Sequence, residues 1–334
     1  YKINKSSKTQ YTSIELFSGC GGLALGLKNS GINSDLLVEI DKDSCETLHA
    51  NFKNTKIICD DIANVDFKKY KNKIDIIAGG FPCQAFSYAG KSKGFEDTRG
   101  TLFFDFARSV KEVNPKVAIG ENVRGLISHD KGQTLLTMVK VLEDLGYNVQ
   151  YKLLLAQYFN VPQKRERVFI VATRKDLPNT YKYPEELDYF VPLEVALKDC
   201  PSSEGQEYPK RKKEIMDMVP QGGYWKDLPI EIQKEYMKGS FYLGGGKTGT
   251  ARRLSMKEPS LTLVTSPAQG QTERCHPIET RPLTIRESAR IQTFPDSWKF
   301  SGSLGSQYKQ IGNAVPVNLA YHVGKSVVKY LKDT

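Results

Sequence analysis

The spacing of apolar residues changes repeatedly between residues 13 and 178. Short apolar runs are typical of buried strands, whereas apolar residues three and four positions apart are typical of helices. The runs predict strands at 13–17, 36–38, 56–59, 74–78, 116–122, 150–155 and 168–172. Helical patterns lie between several of them, so the order of elements predicts an open α/β fold.

Helices are predicted from periodicity and from capping residues. The first follows the FSGCGG sequence and ends at Gly31. Two amphipathic helices cover 102–110 and 133–145. Near the C-terminus, Thr284 is a candidate N-cap, with Glu287 as its capping-box partner. A last helix, predicted after a Gly-Asn turn, carries its apolar face on Leu319, Val323, Val327 and Leu331.

The alternation of strands and helices stops near residue 178. From there to about 282 the chain is irregular and rich in Gly, Pro, Lys and Tyr, as in GGYW and LGGGKTGTARRL. Such composition predicts a small loop-rich domain or a large insertion. We therefore expect 1–180 plus 307–334 to form the α/β domain, 181–282 a second domain, and 283–306 a hinge.

The net charge of the chain indicates which class of partner the protein binds. The 334 residues carry a formal net charge of +10, which favours a polyanion, with nucleic acid as the first candidate. No apolar run approaches transmembrane length, and the first residues lack the apolar core of a signal peptide. We therefore expect a cytoplasmic protein that does not bind a membrane.

The cysteines and histidines predict no metal site. None of the six cysteines forms a CxxC pair, and the four histidines do not cluster with them. A zinc site is therefore not expected. Without a secretory signal, we expect the cysteines to be reduced.

The turn after the first strand has the glycine spacing of a dinucleotide-binding turn. Residues 19–24, GCGGLA, fit the pattern in which glycines bring backbone N–H groups against a ligand. Glu39 ends the second strand about 20 residues after Phe17, which suits an acid that binds ribose hydroxyls. The third strand ends at Asp60-Asp61. Together these strand ends predict an adenosine-type ligand, although solvated acids are the alternative.

The fourth strand leads into GGFPCQAFS, residues 79–87. Two glycines allow a sharp turn, and Pro82 fixes φ just before Cys83. A thiol there lies where open α/β sheets bind their ligands, although a buried structural cysteine is the alternative. Glu121, at the end of the fifth strand, is a second catalytic candidate; its alternative is an acid that stabilises a helix N-terminus.

Polar side chains alternate in NVPQKRERVF, residues 160–169. In extended backbone, Gln163, Arg165 and Arg167 share one face. Two arginines beside a catalytic site suit phosphate or carbonyl oxygens. The alternative is an edge strand that its charges protect from pairing.

Eight motifs in order resemble the cytosine-5 DNA methyltransferases of bacterial modification systems. They are FSGCGG, Glu39, Asp61-Ile62, FPCQ, ENV, QKRER, RESARIQTFPD and GNAVP. The resemblance runs nearly end to end, apart from the region 178–282, where members of this family read different target sequences. It implies a Rossmann-like α/β methyltransferase domain with a mixed, mostly parallel sheet, and a smaller, loop-rich target-recognition domain.

The resemblance implies a role for each matched position. Cys83 is the nucleophile, Glu121 contacts cytosine N3, Arg165 orients the pyrimidine and Arg167 supports the loop. S-adenosylmethionine is the cofactor, with Glu39 on the ribose and Asp61 on the adenine amino group. The residues expected around it are Phe17, Cys20, Gly22, Glu39, Ile40, Asp61, Ile62, Pro82, Leu102 and Asn313.

The expected partner is double-stranded DNA, from which the target cytosine must flip because C6 is inaccessible inside a stacked duplex. Arg252 and Arg253 are candidates for a bidentate guanine contact. Gln271, Arg274 and Ser87 are further DNA-binding candidates. For Arg252, Arg253, Gln271 and Arg274 the alternative is contact with phosphates only. We expect a monomer with no direct protein partner.

Three other functions remain open at this point. The same fold can methylate tRNA, since a eukaryotic branch of the family does so. A nicotinamide-linked dehydrogenase would use the glycine turn but would leave Cys83 and Glu121 without a role. A catalytically inactive DNA-binding module would not need them either.

Overall fold

The computed structural model describes residues 1, 8–82 and 101–334. Cys83 and Ser87 lie outside the described residues. The described strands are β1 (Tyr11–Leu16), β2 (Ile32–Glu39), β3 (Lys56–Cys59), β4 (Ile76–Gly79), β5 (Val117–Val123), β6 (Tyr147–Leu155), β7 (Gln163–Lys164), β8 (Glu166–Arg174) and β9 (Ser260–Leu261). The described helices are α1 (Gly22–Ser30), α2 (Lys42–Asn51), α3 (Leu102–Val113), α4 (Gln133–Asp144), α5 (Leu193–Ala196), α6 (Lys210–Asp217), α7 (Ile230–Met237), α8 (Ile285–Ile291), α9 (Leu304–Asn313) and α10 (Val317–Lys332).

Seven strands form one sheet in the order β3-β2-β1-β4-β5-β8-β6. The first five are parallel to their neighbours, whereas β8 is antiparallel to both β5 and β6. The predicted mixed, mostly parallel sheet is therefore confirmed. In β5 the first six residues are buried, as expected for a strand covered on both faces.

Helices cover both faces of the sheet. One face carries α3 and α4 over an apolar cluster that includes Phe106 and Leu142. The other carries α1 and α10 over a second cluster that includes Leu27 and Val323. A Cβ at Gly26 would overlap Ala320 and the backbone of α10, so this glycine lets α1 and α10 approach closely.

The predicted Gly-Asn turn before the last helix is wrong. Helix α9 continues through Gly312 and ends at Asn313, and the connection to α10 falls at 314–316. A Cβ at Gly312 would overlap the backbone of Val264. The glycine therefore provides close packing rather than a turn.

The middle of the chain has little regular structure, as predicted. Its helices are only four to eight residues long. A separate apolar cluster forms here, with buried members that all fall between Tyr208 and Cys275. Leu254 and Leu263 instead join a cluster shared with α8 and α9, so part of this segment packs on the region next to the sheet.

The expectation that the cysteines are reduced is wrong for one pair. Cys45 of α2 and Cys59 at the end of β3 form a disulfide, with Cα atoms 5.9 Å apart. The parallel pairing of β2 with β3 brings α2, which follows β2, close to the end of β3, within the span that a disulfide bridges. Of the helices in the described part of the chain, none is long and apolar enough to cross a bilayer.

Candidate active site

A cavity of about 600 Å³ opens at the carboxyl ends of the central parallel strands. This is where open α/β sheets bind their ligands. All ten residues that the sequence assigned to the cofactor line it: Phe17, Cys20, Gly22, Glu39, Ile40, Asp61, Ile62, Pro82, Leu102 and Asn313. Residues more than 290 positions apart in sequence therefore meet around one cavity.

The turn between β1 and α1 forms one wall of this cavity. Gly19 and Gly21 adopt φ angles of 51° and 88°, a region that strongly favours glycine. Cys20 is buried between them, and its Sγ donates to the Gln310 carbonyl oxygen at 3.4 Å. Burial raises the pKa of the Cys20 thiol. Cys20 therefore links the turn to α9 as a neutral thiol.

Two carboxylates line the cavity beside β2 and β3. Glu39 Oε2 accepts from the Gly19 N–H at 2.6 Å, and Oε1 accepts from the Ile40 and Asp41 N–H groups, both at 2.8 Å. Asp61 Oδ1 accepts from the Ala63 N–H at 2.9 Å. Because a carboxylate has about four acceptor sites, both groups are oriented by the backbone and still able to bind a ligand.

Glu121 and Arg167 form an ion pair in the cavity wall near β4 and β5. Arg167 Nε lies 2.9 Å from Glu121 Oε1, and both side chains are largely buried. A Cβ at Gly80 would lie only 2.7 Å from Glu121 Oε2, so any side chain at this position would require the carboxyl group to shift. Burial raises the pKa of Glu121, although the Arg167 and Arg165 guanidinium groups oppose that change.

Arg165 occupies a different environment from Arg167. It lies in the break between β7 and β8 and is almost fully buried. Its guanidinium donates to the carbonyl oxygens of Gly312 at 2.8 Å and Leu263 at 3.1 Å. Burial lowers its pKa to about 9. Arg167 therefore lines the cavity and Arg165 lies behind its wall, the reverse of the placement that their predicted roles suggest. The roles themselves stay predictions.

The residues around the predicted nucleophile are partly described. Asn122 donates from Nδ2 to the Phe81 carbonyl oxygen at 2.9 Å, which ties the end of β5 to the segment that carries Pro82. Cys83, the next residue, lies outside the described part of the chain. Its role stays a prediction.

Two of the predicted DNA-binding arginines are buried. The Arg253 guanidinium donates to the carbonyl oxygens of Met216, Val219 and His276 and to Thr280 Oγ1. These partners use four of the five guanidinium N–H donors, so Arg253 holds irregular backbone together in this structure. Its predicted contact with guanine stays a prediction.

Arg274 is bound to backbone in the same way. Its Nε and Nη2 donate to the Thr262 carbonyl oxygen at 2.9 and 2.6 Å, and Nη1 donates to that of Glu273. Burial lowers its pKa to about 10. Arg252 is only partly buried, with its guanidinium 5.7 Å from the Tyr224 ring centroid, and Gln271 is exposed. These two residues remain accessible to DNA.

Several cavity residues were not among those assigned to the cofactor or to catalysis from the sequence. They are Glu15, Asp41, Ser44, Asp60, Lys309 and Gln310. Asp41, Ser44 and Asp60 adjoin predicted positions, and Lys309 and Gln310 immediately precede GNAVP, so proximity to the motifs was the available signal. For Glu15 the signal in the sequence was weaker, because it was only an acidic residue inside an apolar strand.

Acidic groups outnumber basic groups around the cavity. Among the described lining residues, the acids are Glu15, Glu39, Asp41, Asp60, Asp61 and Glu121, and the cationic side chains are Arg167 and Lys309. This balance favours a ligand that carries positive charge. Described groups of His, Cys, Asp and Glu do not form a cluster that could hold a metal ion.

The fold and the cavity define a Rossmann-like α/β protein with a ligand-sized cavity at the ends of its parallel strands, lined by a buried acid and arginine. A family model specifies the chemistry. The model of the C-5 cytosine-specific DNA methylases matches residues 11–329, and the chain belongs to this family. It is a DNA (cytosine-5) methyltransferase, as the motifs indicated.

The names of similar curated proteins agree with this family assignment. The chain is 60% identical to the Type II methyltransferase M.Eco47II of Escherichia coli, over 98% of this chain and 81% of that protein. It is 52% identical to M.Sau96I of Staphylococcus aureus, over 99% and 78%. It is 35% identical to M.HhaI of Haemophilus parahaemolyticus, over 98% of each protein.

Solved structures share the fold at low sequence identity. A mutant of Spodoptera frugiperda DNMT2 matches with a TM-score of 0.66 and 17% identity, covering 97% of this chain and all of that chain. The Entamoeba histolytica methyltransferase EhMeth matches with a TM-score of 0.67 and 16% identity, covering 98% and 99%. These matches support the fold alone.

Proposed function

We propose that this enzyme methylates C5 of a cytosine flipped out of duplex DNA, with S-adenosylmethionine as the methyl donor, as the modification enzyme of a Type II restriction–modification system. The observation that carries the proposal is the Glu121–Arg167 pair, which shares one cavity with all ten predicted cofactor residues. The names of the Type II relatives support the biological role.

The described residues fit the cofactor. A cavity of about 600 Å³ is within the range of small-molecule sites, and its excess of acids suits a sulfonium and an ammonium group. Glu39 binds the ribose hydroxyls, Asp61 the adenine amino group, and Ile40 and Ile62 contribute apolar walls. The cofactor supplies a methyl group activated on positively charged sulfur.

Cys83, Glu121 and Arg167 act on the cytosine. The Cys83 thiolate forms a bond to C6 while Glu121 gives a proton to N3 and Arg167 stabilises charge at O2. This makes C5 nucleophilic. Once C5 carries the methyl group, a base removes the C5 proton, the C6–sulfur bond breaks, and the N3 proton returns to Glu121. The base is not identified; water is a candidate.

DNA binding uses surfaces beyond the cavity. The net charge of +10 supports sequence-independent attraction to phosphates. We assign base contacts to the domain 181–282, with Arg252 and Gln271 as accessible candidates, and a DNA contact to Ser87. The α/β domain comprises 1–180 and 307–334, with 283–306 as the hinge. We further propose that the enzyme acts as a monomer in the bacterial cytosol without a protein partner.

A direct comparison of substrates tests this function. Purified protein with a radiolabelled methyl donor should transfer label to duplex DNA, and sequencing of the product should place 5-methylcytosine in one recurring sequence. Transfer to tRNA but not to duplex DNA would overturn the proposal in favour of the RNA-directed alternative.

The variant Cys83→Ser separates chemistry from DNA binding. A serine hydroxyl is far less acidic than a thiol, so addition to C6 should fail and turnover should drop at least about 10³-fold. DNA affinity, measured by fluorescence anisotropy, should stay within about twofold of wild type. Turnover near the wild-type rate would remove Cys83 from the mechanism.

A further inference from the structure

The disulfide between Cys45 and Cys59 lies directly behind one end of the cavity. Cys45 is in the first turn of α2, and Cys59 is the last residue of β3. Asp41 and Ser44, beside Cys45 in sequence, line the cavity, and so do residues 60–62, which follow Cys59. The disulfide therefore joins two walls of the site that the proposed function assigns to the adenosine of the cofactor.

The hydrogen bonds that connect these two walls run through the sheet. The Asp60 N–H donates to the Glu39 carbonyl oxygen at 3.0 Å, which extends the pairing of β2 with the edge strand β3. Helix α2 is instead fastened to α9, since Thr47 Oγ1 donates to Gln310 Oε1 at 2.7 Å. In the described part of the chain, no hydrogen bond joins α2 to residues 59–64. The disulfide thus supplies a direct link between α2 and the end of β3.

One half of the disulfide is open to solvent and the other half is buried. Cys59 is exposed, whereas Cys45 is only 3% exposed. Cys45 Sγ lies 3.5 Å from the Glu39 carbonyl oxygen, so a thiol at this position has an acceptor for its proton. The fold therefore accommodates the reduced pair as well as the disulfide, and a reductant reaches the bond at Cys59.

We propose, on the basis of the proposed function, that Cys45 and Cys59 form a reversible redox pair that controls the affinity for the cofactor. The proposed function places the enzyme in a reducing cytosol, where disulfides are usually catalytic or redox-sensing. Neither cysteine is among the described residues that line the cavity, so a sensing role fits the pair. The disulfide holds the two walls together, whereas in the reduced form the walls move more freely and must be ordered when the cofactor binds.

Thiol–disulfide exchange with a dithiol converts one form into the other. One thiolate of the dithiol forms a bond to Cys59 Sγ, the Cys45–Cys59 bond breaks, and Cys45 leaves as a thiolate that takes up a proton. The second thiolate of the dithiol then displaces Cys59, which also takes up a proton, and the dithiol becomes a disulfide. Two electrons pass from the dithiol to the cysteine pair. The oxidised form of the dithiol reverses both steps.

Calorimetry on the two redox forms tests this control. Mass spectrometry after alkylation identifies the state of the pair, and isothermal titration calorimetry gives the affinity for S-adenosylhomocysteine. Binding is measured because turnover would also depend on the redox state of Cys83. We expect protein reduced with dithiothreitol to bind S-adenosylhomocysteine about 3- to 10-fold more weakly than the disulfide form, the effect of ordering one or two groups on binding. Reoxidation with oxidised dithiothreitol should restore the affinity.

Cys59→Ser and Cys200→Ser are the matched variants. Cys59→Ser replaces the exposed member of the pair, so it should bind as weakly as the reduced wild type whether or not reductant is present. Cys200 is a free cysteine and is not among the described cavity residues, so Cys200→Ser should keep the full redox response.

Three results would overturn the proposal: equal affinity of the two wild-type forms, a redox response that persists in Cys59→Ser, or a wild-type pair that oxidised dithiothreitol leaves as thiols. If Cys59→Ser does not fold, the two forms of the wild type decide. Absence of binding in both forms would contradict the proposed cofactor as well, whereas equal binding in both forms would contradict the redox control alone.

Discussion

Arg167 and Arg253 are both largely buried, yet they serve different purposes in the two regions of the molecule. In the α/β region, Arg167 pairs with Glu121 in a cavity wall. In the middle segment 181–282, Arg253 donates to three backbone carbonyls and a hydroxyl. The difference follows from secondary structure. The backbone carbonyl groups of strands are hydrogen-bonded to neighbouring strands. A buried irregular backbone lacks such neighbours, so its carbonyl groups need side-chain donors.

This comparison shows in which kind of secondary structure a charged residue indicates a functional site. In a strand of the sheet, such as β8 with Arg167, the backbone is already paired, and a polar side chain is free to face a ligand. In a loop-rich segment with its own apolar cluster, a planar guanidinium with five donors can equally well hold loops together. Arginine in such a segment therefore indicates structure as readily as DNA recognition.

The largest expected difference is between Arg167 and Arg165. Loss of the Arg167 guanidinium removes charge stabilisation at the reacting base, so Arg167→Ala should lower kcat about 10²- to 10³-fold. It should also change the stability of the fold less than Arg165→Ala, because Arg165 is the more deeply buried and holds two carbonyls. Steady-state kinetics and urea denaturation measure the two effects. If Arg165→Ala were stable and Arg167→Ala fully active, the reversed assignment would be wrong.

Two neighbouring arginines in the middle segment, Arg252 and Arg253, give a second pair of variants to compare. Arg253→Ala leaves several buried carbonyls without donors and should destabilise the protein by about 3 kcal/mol. Arg252→Ala removes a partly exposed side chain over Tyr224 and should cost under about 1 kcal/mol. DNA affinity should fall mainly in Arg252→Ala. A relaxed base preference in a stably folded Arg253→Ala would restore Arg253 as a reader of sequence.

A smaller effect is expected in the pH dependence of kcat/KM, through the protonation of Glu121. Its folded pKa is raised by burial, so the protonated acid is present below that pKa and is lost as pH rises through it. A step that needs this proton should therefore slow on the alkaline side, above the ordinary carboxyl range. The pH profile of kcat/KM should show this descending limb in wild type but not in Glu121→Gln. An unchanged limb in the variant would assign it to another group.

Much of the fold could be predicted because the strands are apolar and short. All seven strands of the large sheet were anticipated within a few residues. Helices α2 and α9 were missed for a physical reason, since their buried faces include Ser44, Thr47 and Gln310 rather than an apolar stripe. Only their N-caps, Asp41 and Ser303, marked them in the sequence.

The cavity residues could be predicted because their motifs act over a few neighbouring positions. The environments of Arg253 and Arg165 could not, because they depend on contacts between distant parts of the chain. A glycine turn and an acid at a strand end act through neighbouring backbone, so motifs identified Glu39 and Asp61. The burial of Arg253 depends on Met216, Val219 and His276, which no local pattern links to it. Likewise, the break in the strand at Arg165 separates two arginines that a continuous strand would place on one face.

The most direct test of the account is a covalent trap. Duplex DNA with 5-fluorocytosine at the target cannot lose fluorine as a cation, so the enzyme should stall after methylation with Cys83 still bonded to C6. With cofactor present, wild-type protein should form a complex that survives a denaturing gel, and Cys83→Ser should form none. If wild-type protein methylates ordinary DNA yet forms no adduct with this substrate, covalent catalysis by Cys83 is contradicted.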